Sequence, residues 1–205
     1  MIIVVEGISA AGKTTWCRSH AKPYLIPETF PDDRKAQPDT GQGTAQYWTD
    51  WNVKRWREAL AIERAKGHAV CDTDPLKLHY SWSLFQVGEL PKSQWQLQSQ
   101  ASRQAICERR LGFADAYFVK IIDPITARQQ SDADPSRVRD RFDLHVRLQP
   151  SLIRWYTLLN EVIGGRVHWE LPDGGLPLNI LPPNRIRYDV AAFDSFVSLL
   201  ETSAA

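Results

Sequence analysis

The chain has almost no excess of charge of either sign. Its 25 lysines and arginines stand against 24 aspartates and glutamates, a formal net charge of +1. That balance excludes a polybasic surface that would bind a nucleic-acid polymer by charge alone, so any anionic partner must be held by local groups. Cysteine is scarce as well. Cys17, Cys71 and Cys107 are odd in number, widely spaced and without metal-ligand spacing. This argues against a disulfide framework and for a reducing, cytoplasmic setting. The apolar run at the N-terminus, Met1 to Val5, is far too short to cross a membrane and carries no basic flank or cleavage site, so no membrane partner is expected. Internal repeats and low-complexity segments are absent. At 205 residues the chain has room for one well-buried domain and is short for two, so residues 1–205 are read as a single domain.

What is present is an ordinary globular balance, 43% hydrophobic and 24% charged, with eight tryptophans. Most tryptophans are expected in the core or on helix faces, with one or two near a pocket for a flat substrate. Ile2–Val5 is a continuous β-branched run, the pattern of a strand buried on both faces. A small-residue loop follows over Gly7–Gly12, then a helix over Lys13–His20 that stops before Pro23. Further strands are expected at Tyr24–Ile26, His68–Cys71, Ala116–Ile122 and Val167–Leu171. Helices are expected at Ala45–Lys66 (stopped by Gly67), at Ser93–Leu111 (with Ser93 as N-cap and Gly112 as stop), briefly from Pro124, over Arg137–Ile163 with a break at Pro150, and at Ala191–Glu201. Thr29–Thr44 and Pro172–Pro183 read as loops. Strands that alternate with helices five times predict an α/β fold: three layers, α/β/α, around a five-stranded, mainly parallel sheet.

The decisive string is Gly7-Ile8-Ser9-Ala10-Ala11-Gly12-Lys13-Thr14, which fits G-x-x-x-x-G-K-[ST] at every fixed position. Small residues let successive backbone N–H groups curve around a phosphate, and the helix that follows aims its positive end at the same anion. Gly7, Ser9, Ala10, Ala11, Gly12, Lys13, Thr14 and Thr15 are therefore the candidate ATP-binding residues. Lys13 reaches for the β- and γ-phosphates, and the Thr14 hydroxyl for Mg²⁺. The string also follows an apolar strand and opens a helix, the context the motif requires.

In such a sheet, ligands bind beyond the carboxyl ends of the strands. Asp72, just past the third strand, is thus the candidate second Mg²⁺ ligand. Asp74 is a candidate to assist the metal or contact the acceptor. Glu28 closes the second strand and is the candidate base for the accepting hydroxyl. Asp32 and Asp33 read as a solvated loop. Arg128, Arg137 and Arg141 bound a polar segment, a candidate lid over about 128–141 that brings guanidinium groups onto the transferring phosphoryl. Residues 137 and 141 share a helical face, whereas Arg139 points elsewhere. The acceptor pocket is placed among the Thr29–Thr44 loop, the Trp48–Trp56 stretch and the Asp72–Trp82 segment, with Trp48, Trp51 and Trp82 as its aromatic candidates.

From Met1 to about Ile163 the sequence resembles the P-loop nucleoside and nucleotide kinases of the thymidylate-kinase-like and deoxynucleoside-kinase-like branches. The similarity lies in Gly7–Thr14, in Pro27-Glu28 at a strand end, in Val70-Cys71-Asp72, in Tyr117–Pro124 followed by Ala127-Arg128, and in Arg137–Leu159. Thr73 stands where those branches usually carry arginine, and Asp72-Thr73-Asp74 looks more like the nicotinamide-riboside-kinase-like branch. The resemblance implies an ATP- and Mg²⁺-dependent phosphotransferase that acts on a small molecule, a nucleoside or nucleotide, and is often a homodimer. The alternatives are a kinase of another alcohol (an antibiotic, sugar or vitamin) and a non-catalytic nucleotide-binding regulator. A GTPase is disfavoured because neither Asn-Lys-x-Asp nor Asp-x-x-Gly occurs.

Overall fold

Strand β1 (Ile2–Gly7) lies at the centre of the molecule, and both of its edges are paired in parallel. The computed structural model describes residues 1–34, 40–134, 141–176 and 186–202. After β1 the chain runs through α1 (Lys13–His20), β2 (Leu25–Ile26), α2 (Gln42–Lys66), β3 (Ala69–Asp72), α3 (Leu78–Gln86) and α4 (Lys92–Cys107). It continues through β4 (Ala116–Lys120), α5 (Pro124–Asp132), α6 (Phe142–Arg147), α7 (Gln149–Ile163), β5 (Val167–His168) and α8 (Val190–Thr202). The five strands are ordered β2-β3-β1-β4-β5, and every pairing is parallel. The chain crosses from one side of β1 to the other between β3 and β4, so β1 ends at the point where the strand order reverses, where open α/β sheets bind ligands.

Alternation along β1 divides the core in two. Ile2 and Val4 face the larger core, built with Trp56, Trp82, Trp95, Trp155 and Phe196 from the helices. Ile3 and Val5 face the smaller one, with Cys17 and Ala21 from α1 and its C-cap. Helices thus cover both faces, and the fold is the expected three-layer α/β arrangement. Trp82 belongs to this core and not to a pocket wall. Its ring meets Trp95 at 5.3 Å between centroids, and Trp155 in turn meets Phe196 at 4.6 Å. Aromatic pairs of this kind add to the area they bury.

The elements differ from the sequence expectation where local signals are weak. Helix α3 follows an N-cap, Lys77, that has φ +46° and no side-chain cap bond, so no Ser, Thr, Asp or Asn marks its start. Helix α4 starts at Lys92 and ends at Cys107, with Pro91 rather than Ser93 as cap; Arg109, at φ +58°, turns the chain before Gly112. The helix expected over 137–163 is two helices that part at Leu148, ahead of Pro150; residues 135–140 lie outside the described residues. Strands β4 and β5 are shorter than expected, ending at Lys120 and His168. Residues 177–185, which include the second half of the Pro172–Pro183 connection, and 35–39 of the Thr29–Thr44 loop also lie outside the described residues. Among the described residues no helix is long and apolar enough to cross a membrane.

Gly112 acts as more than a helix stop. Phe113 N donates to Arg187 O at 2.9 Å, and a Cβ on Gly112 would run into that same carbonyl and lie 3.0 Å from the Tyr188 ring. Arg187 cannot yield easily, because it is ion-paired with both Glu63 and Asp115. Gly112→Ala is therefore expected to destabilise the fold by about 1–3 kcal/mol, read as a lower denaturant midpoint with an unchanged slope.

Candidate active site

The loop after β1 is shaped by close approach. A Cβ at Gly7 would lie 2.6 Å from Lys120 O on β4, so only glycine lets the two strand ends run side by side. Ala10 and Gly12 both have positive φ, +65° and +82°. This alternation turns backbone N–H groups toward one concavity, an anion-binding arrangement. Helix α1 starts at Lys13, so the N–H groups of Lys13, Thr14 and Thr15 have no partner within the helix. Lys13 Nζ donates to Gly7 O at 2.6 Å and to Ile8 O at 3.0 Å, arching over the loop.

Parallel register brings the first acid to this loop. Val5 pairs with Asp72, and Thr14 Oγ1 donates to Asp72 Oδ2 at 2.6 Å. The other carboxylate oxygen, Oδ1, is buried without a partner. Burial raises the Asp72 pKa, against the lowering effect of the Thr14 hydrogen bond and the Lys13 charge. A hydroxyl and a carboxylate with a free buried lone pair are hard oxygen ligands that fit Mg²⁺. Among the described residues no group of three or more His, Cys, Asp or Glu side chains forms a metal site.

Glu28, just beyond β2, pairs with Lys77, which caps α3. Burial opposes its ionisation, but the charges of Lys77 and Lys13 outweigh that and carry its pKa down to about 2. Lys77 Nζ also lies 4.5 Å from the Phe30 ring centroid and 6.0 Å from that of Tyr80. His145 on α6 lies 6.1 Å from the Tyr80 ring. Its pKa is lowered by burial, then by Lys13, with Lys77 and Arg141 adding to the effect. Lys13, Glu28, Lys77, Tyr80 and His145, each half-buried, thus form one face beside the Gly7–Thr14 loop. Trp51 is half-buried at its edge, and its Nε1 donates to Thr29 O at 3.0 Å.

Behind the loop lies a buried polar network. Glu6 accepts from Gly7 N at 2.9 Å and from Asp74 N at 3.1 Å, and His79 Nε2 lies 3.4 Å from it. Asp74, expected at the metal or the acceptor, is fully buried instead. Its oxygens accept from Leu76 N at 3.0 Å and from Tyr156 OH at 3.4 Å. Burial lifts the Asp74 pKa to about 7, with Glu6 adding to the effect and the Leu76 N–H opposing it. The native state then holds a proton that the unfolded chain releases near pH 4, so stability falls as pH rises from there toward 7. Asp74→Asn removes the charge; its carbonyl oxygen still accepts from Leu76 N, and its amide nitrogen donates to the Tyr156 oxygen in place of the bond that Tyr156 donated. It is expected to stabilise the fold by about 1–3 kcal/mol at pH 8 and by much less at pH 5, measured as denaturant midpoints at the two values.

Of the arginines expected in a lid, Arg128 is held outside this cluster, whereas the Arg141 charge reaches Tyr80 and His145 within it. Arg128 pairs with Asp143 and lies 4.5 Å over the Phe142 ring; Arg141 Nη2 lies 3.6 Å from Glu89. Arg137 lies outside the described residues. Sequence reasoning missed Glu6, Arg55, Lys77 and His145. His145 carried a usable signal, since it is one helical turn beyond Arg141 on the same face. Lys77 and Arg55 carried none.

The chain matches no family model and no curated protein sequence. Among solved structures it is similar to deoxyadenosine kinase from M. mycoides with bound dATP (TM-score 0.55, 12% identity, all of both chains covered). It is similar to the same enzyme with products dCMP and a flexible dCDP bound (TM-score 0.57, 13% identity, 98% of this chain and 100% of that one). NadR protein in complex with NAD and AMP-PNP is a third (TM-score 0.53, 16% identity); 96% of this chain is covered but only 49% of NadR, so the chain spans about half of that protein. At these identities the likeness establishes the fold alone: a parallel five-stranded sheet with flanking helices.

Proposed function

We propose that the protein is an ATP-dependent kinase of a small molecule, with a nucleoside or nucleotide as acceptor. The observation that carries this reading is the convergence of Lys13, Thr14, Asp72 and Glu28, from three separate stretches of sequence, on one end of the sheet. The nucleotides bound to deoxyadenosine kinase and NadR support the choice of ligand class.

In this reading the ATP phosphates lie in the concavity of Gly7–Thr15. Lys13 exchanges its two loop carbonyls for the β- and γ-phosphate oxygens. Thr14 and Asp72 hold Mg²⁺, which when bound neutralises charge on the phosphate oxygens. Glu28 orients the accepting hydroxyl and takes its proton. The segment over about 128–141 closes as a lid that excludes water, and at least one of Arg128, Arg137 and Arg141 serves the transferring phosphoryl. Asp74 acts from within the core, by holding the turn that presents Asp72. The transfer asks for positioning and charge stabilisation and for little covalent chemistry from the protein.

The test is ADP release from Mg·ATP against ribonucleosides, deoxynucleosides, their monophosphates, nicotinamide riboside, sugars and aminoglycosides. A nucleoside or nucleotide hit is the expected result. A hit confined to sugars or aminoglycosides replaces the acceptor class, and ATP binding with a flat panel would favour a non-catalytic regulator.

A further inference from the structure

Helix α2 buries one arginine, Arg55, which is only 1% exposed. A guanidinium stays charged at any ordinary pH, so burying it costs several kcal/mol unless partners compensate. Among the described residues no carboxylate lies within ion-pairing distance of Arg55, and Nε and Nη1 have no hydrogen-bond partner. Only Nη2 is engaged. It donates to Asp72 O at 2.8 Å and to Thr73 O at 3.0 Å, the two carbonyls at the end of β3. A buried cation whose only bonds go to one backbone turn calls for an explanation in that turn.

The turn is strained. Thr73 has φ +72°, a left-handed conformation that a β-branched residue adopts only at a cost of about 1–3 kcal/mol. Such a conformation persists only when the surroundings over-determine it. Thr73 N donates to Val5 O at 2.9 Å and Asp74 N to Glu6 at 3.1 Å, and Arg55 takes the carbonyls on the other side. The kink at Thr73 also separates the two acids. In a continuing strand, residues 72 and 74 would share a face. Here Asp72 meets Thr14 at the phosphate loop while Asp74 turns into the core toward Leu76 and Tyr156.

We propose that Arg55 is a positioning residue: by gripping the Asp72 and Thr73 carbonyls it holds Thr73 in its left-handed conformation and thereby fixes the Asp72 carboxylate against Thr14. The inference rests on reading Asp72 and Thr14 as the cation site. In this proposal Arg55 acts through the geometry of the turn and not by contact with nucleotide or metal. Removing it lets Thr73 relax to ordinary φ, and the carboxylate swings away from the hydroxyl. Glycine at 73 adopts positive φ without strain and needs no clamp.

The experiment is equilibrium binding of a fluorescent N-methylanthraniloyl-ATP at increasing Mg²⁺, with no acceptor and no turnover. Arg55→Met is expected to bind the probe without Mg²⁺ as the unaltered protein does. Its half-saturating Mg²⁺ is expected to rise tenfold or more, on the order of 1.4 kcal/mol of coupling. Adding Thr73→Gly to the same chain is expected to recover at least threefold of that loss. A merely structural arginine would instead weaken binding with and without Mg²⁺ alike, and Thr73→Gly would restore nothing; either result overturns the proposal. If Arg55→Met does not fold, Arg55→Lys, which keeps the cation but loses the planar fork, is compared with and without Thr73→Gly for the same rescue. Asp72→Asn separates the two levels. If it weakens the Mg²⁺ dependence while the Arg55 variants leave it untouched, the clamp is wrong and the cation site stands. If Mg²⁺ has no effect on the unaltered protein, both are wrong.

Discussion

Lys13→Ala is expected to lose phosphoryl transfer by on the order of a thousandfold in kcat while the fold persists. The lysine reaches over the loop, with Nζ at 2.6 and 3.0 Å from the Gly7 and Ile8 carbonyls. Those two bonds show that the side chain spans the concavity and can swing to a phosphate without backbone movement. In a transfer with little covalent chemistry, charge placed where charge develops carries most of the rate. The structural loss is small by comparison: two carbonyls near solvent exchange a lysine for water, about 1 kcal/mol or less. The check is ADP release at saturating ATP and acceptor, alongside thermal unfolding of both proteins. Transfer at the unaltered rate in a folded variant would remove the phosphate loop from the mechanism.

Glu28→Gln has the second-largest expected effect, a fall in kcat of about 10²–10⁴-fold, the range for removal of a positioned base. The amide keeps the shape and still accepts a hydrogen bond from Lys77, so the loss isolates the charge. Its pH dependence follows from the environment of the carboxylate. Against the opposing effect of burial, Lys77 and Lys13 hold the pKa near 2, so Glu28 is ionised at every pH where the protein is assayed. The deficit of the Gln variant is therefore expected to be constant from about pH 5 to pH 8. The stability supplied by the pair with Lys77 is complete above the ordinary value of 4.5 and is lost progressively as pH falls from there to about 2. Lys77→Met removes the largest lowering charge and leaves burial less opposed. In that variant the Glu28 pKa rises and an acid limb is expected to enter the rate profile from below. A flat profile in Lys77→Met, or full activity in Glu28→Gln, would move the proton to another acceptor, with His145 next in line on the same face.

The face around Glu28 has no single local sequence signal. Its members come from the start of α1, the chain just beyond β2, the α3 cap, α3 itself and α6, and only the packing of these elements brings them together. The sequence offered no start signal for α3, because its cap is a lysine with positive φ. Trp82, an aromatic candidate for the pocket, faces inward because α3 turns that side to Trp95.

The sequence by itself determined those parts whose chemistry is local. The β-branched run Ile2–Val5, the glycine loop and the helix opening at Lys13 are consecutive residues, and backbone geometry leaves them little choice. Asp72 and Glu28 were legible because acids at the ends of parallel strands fall at one edge of the sheet whatever the packing. Only the tertiary structure decided how that edge is supported. The Thr14–Asp72 bond joins residues 58 apart, and the Glu28–Lys77 pair residues 49 apart. The Arg55 grip on the Thr73 turn and the burial of Asp74 depend on how a helix face and a strained backbone meet. No periodicity records such contacts. They arise when packing, and not propensity, selects which polar groups are enclosed and which of them must find one another.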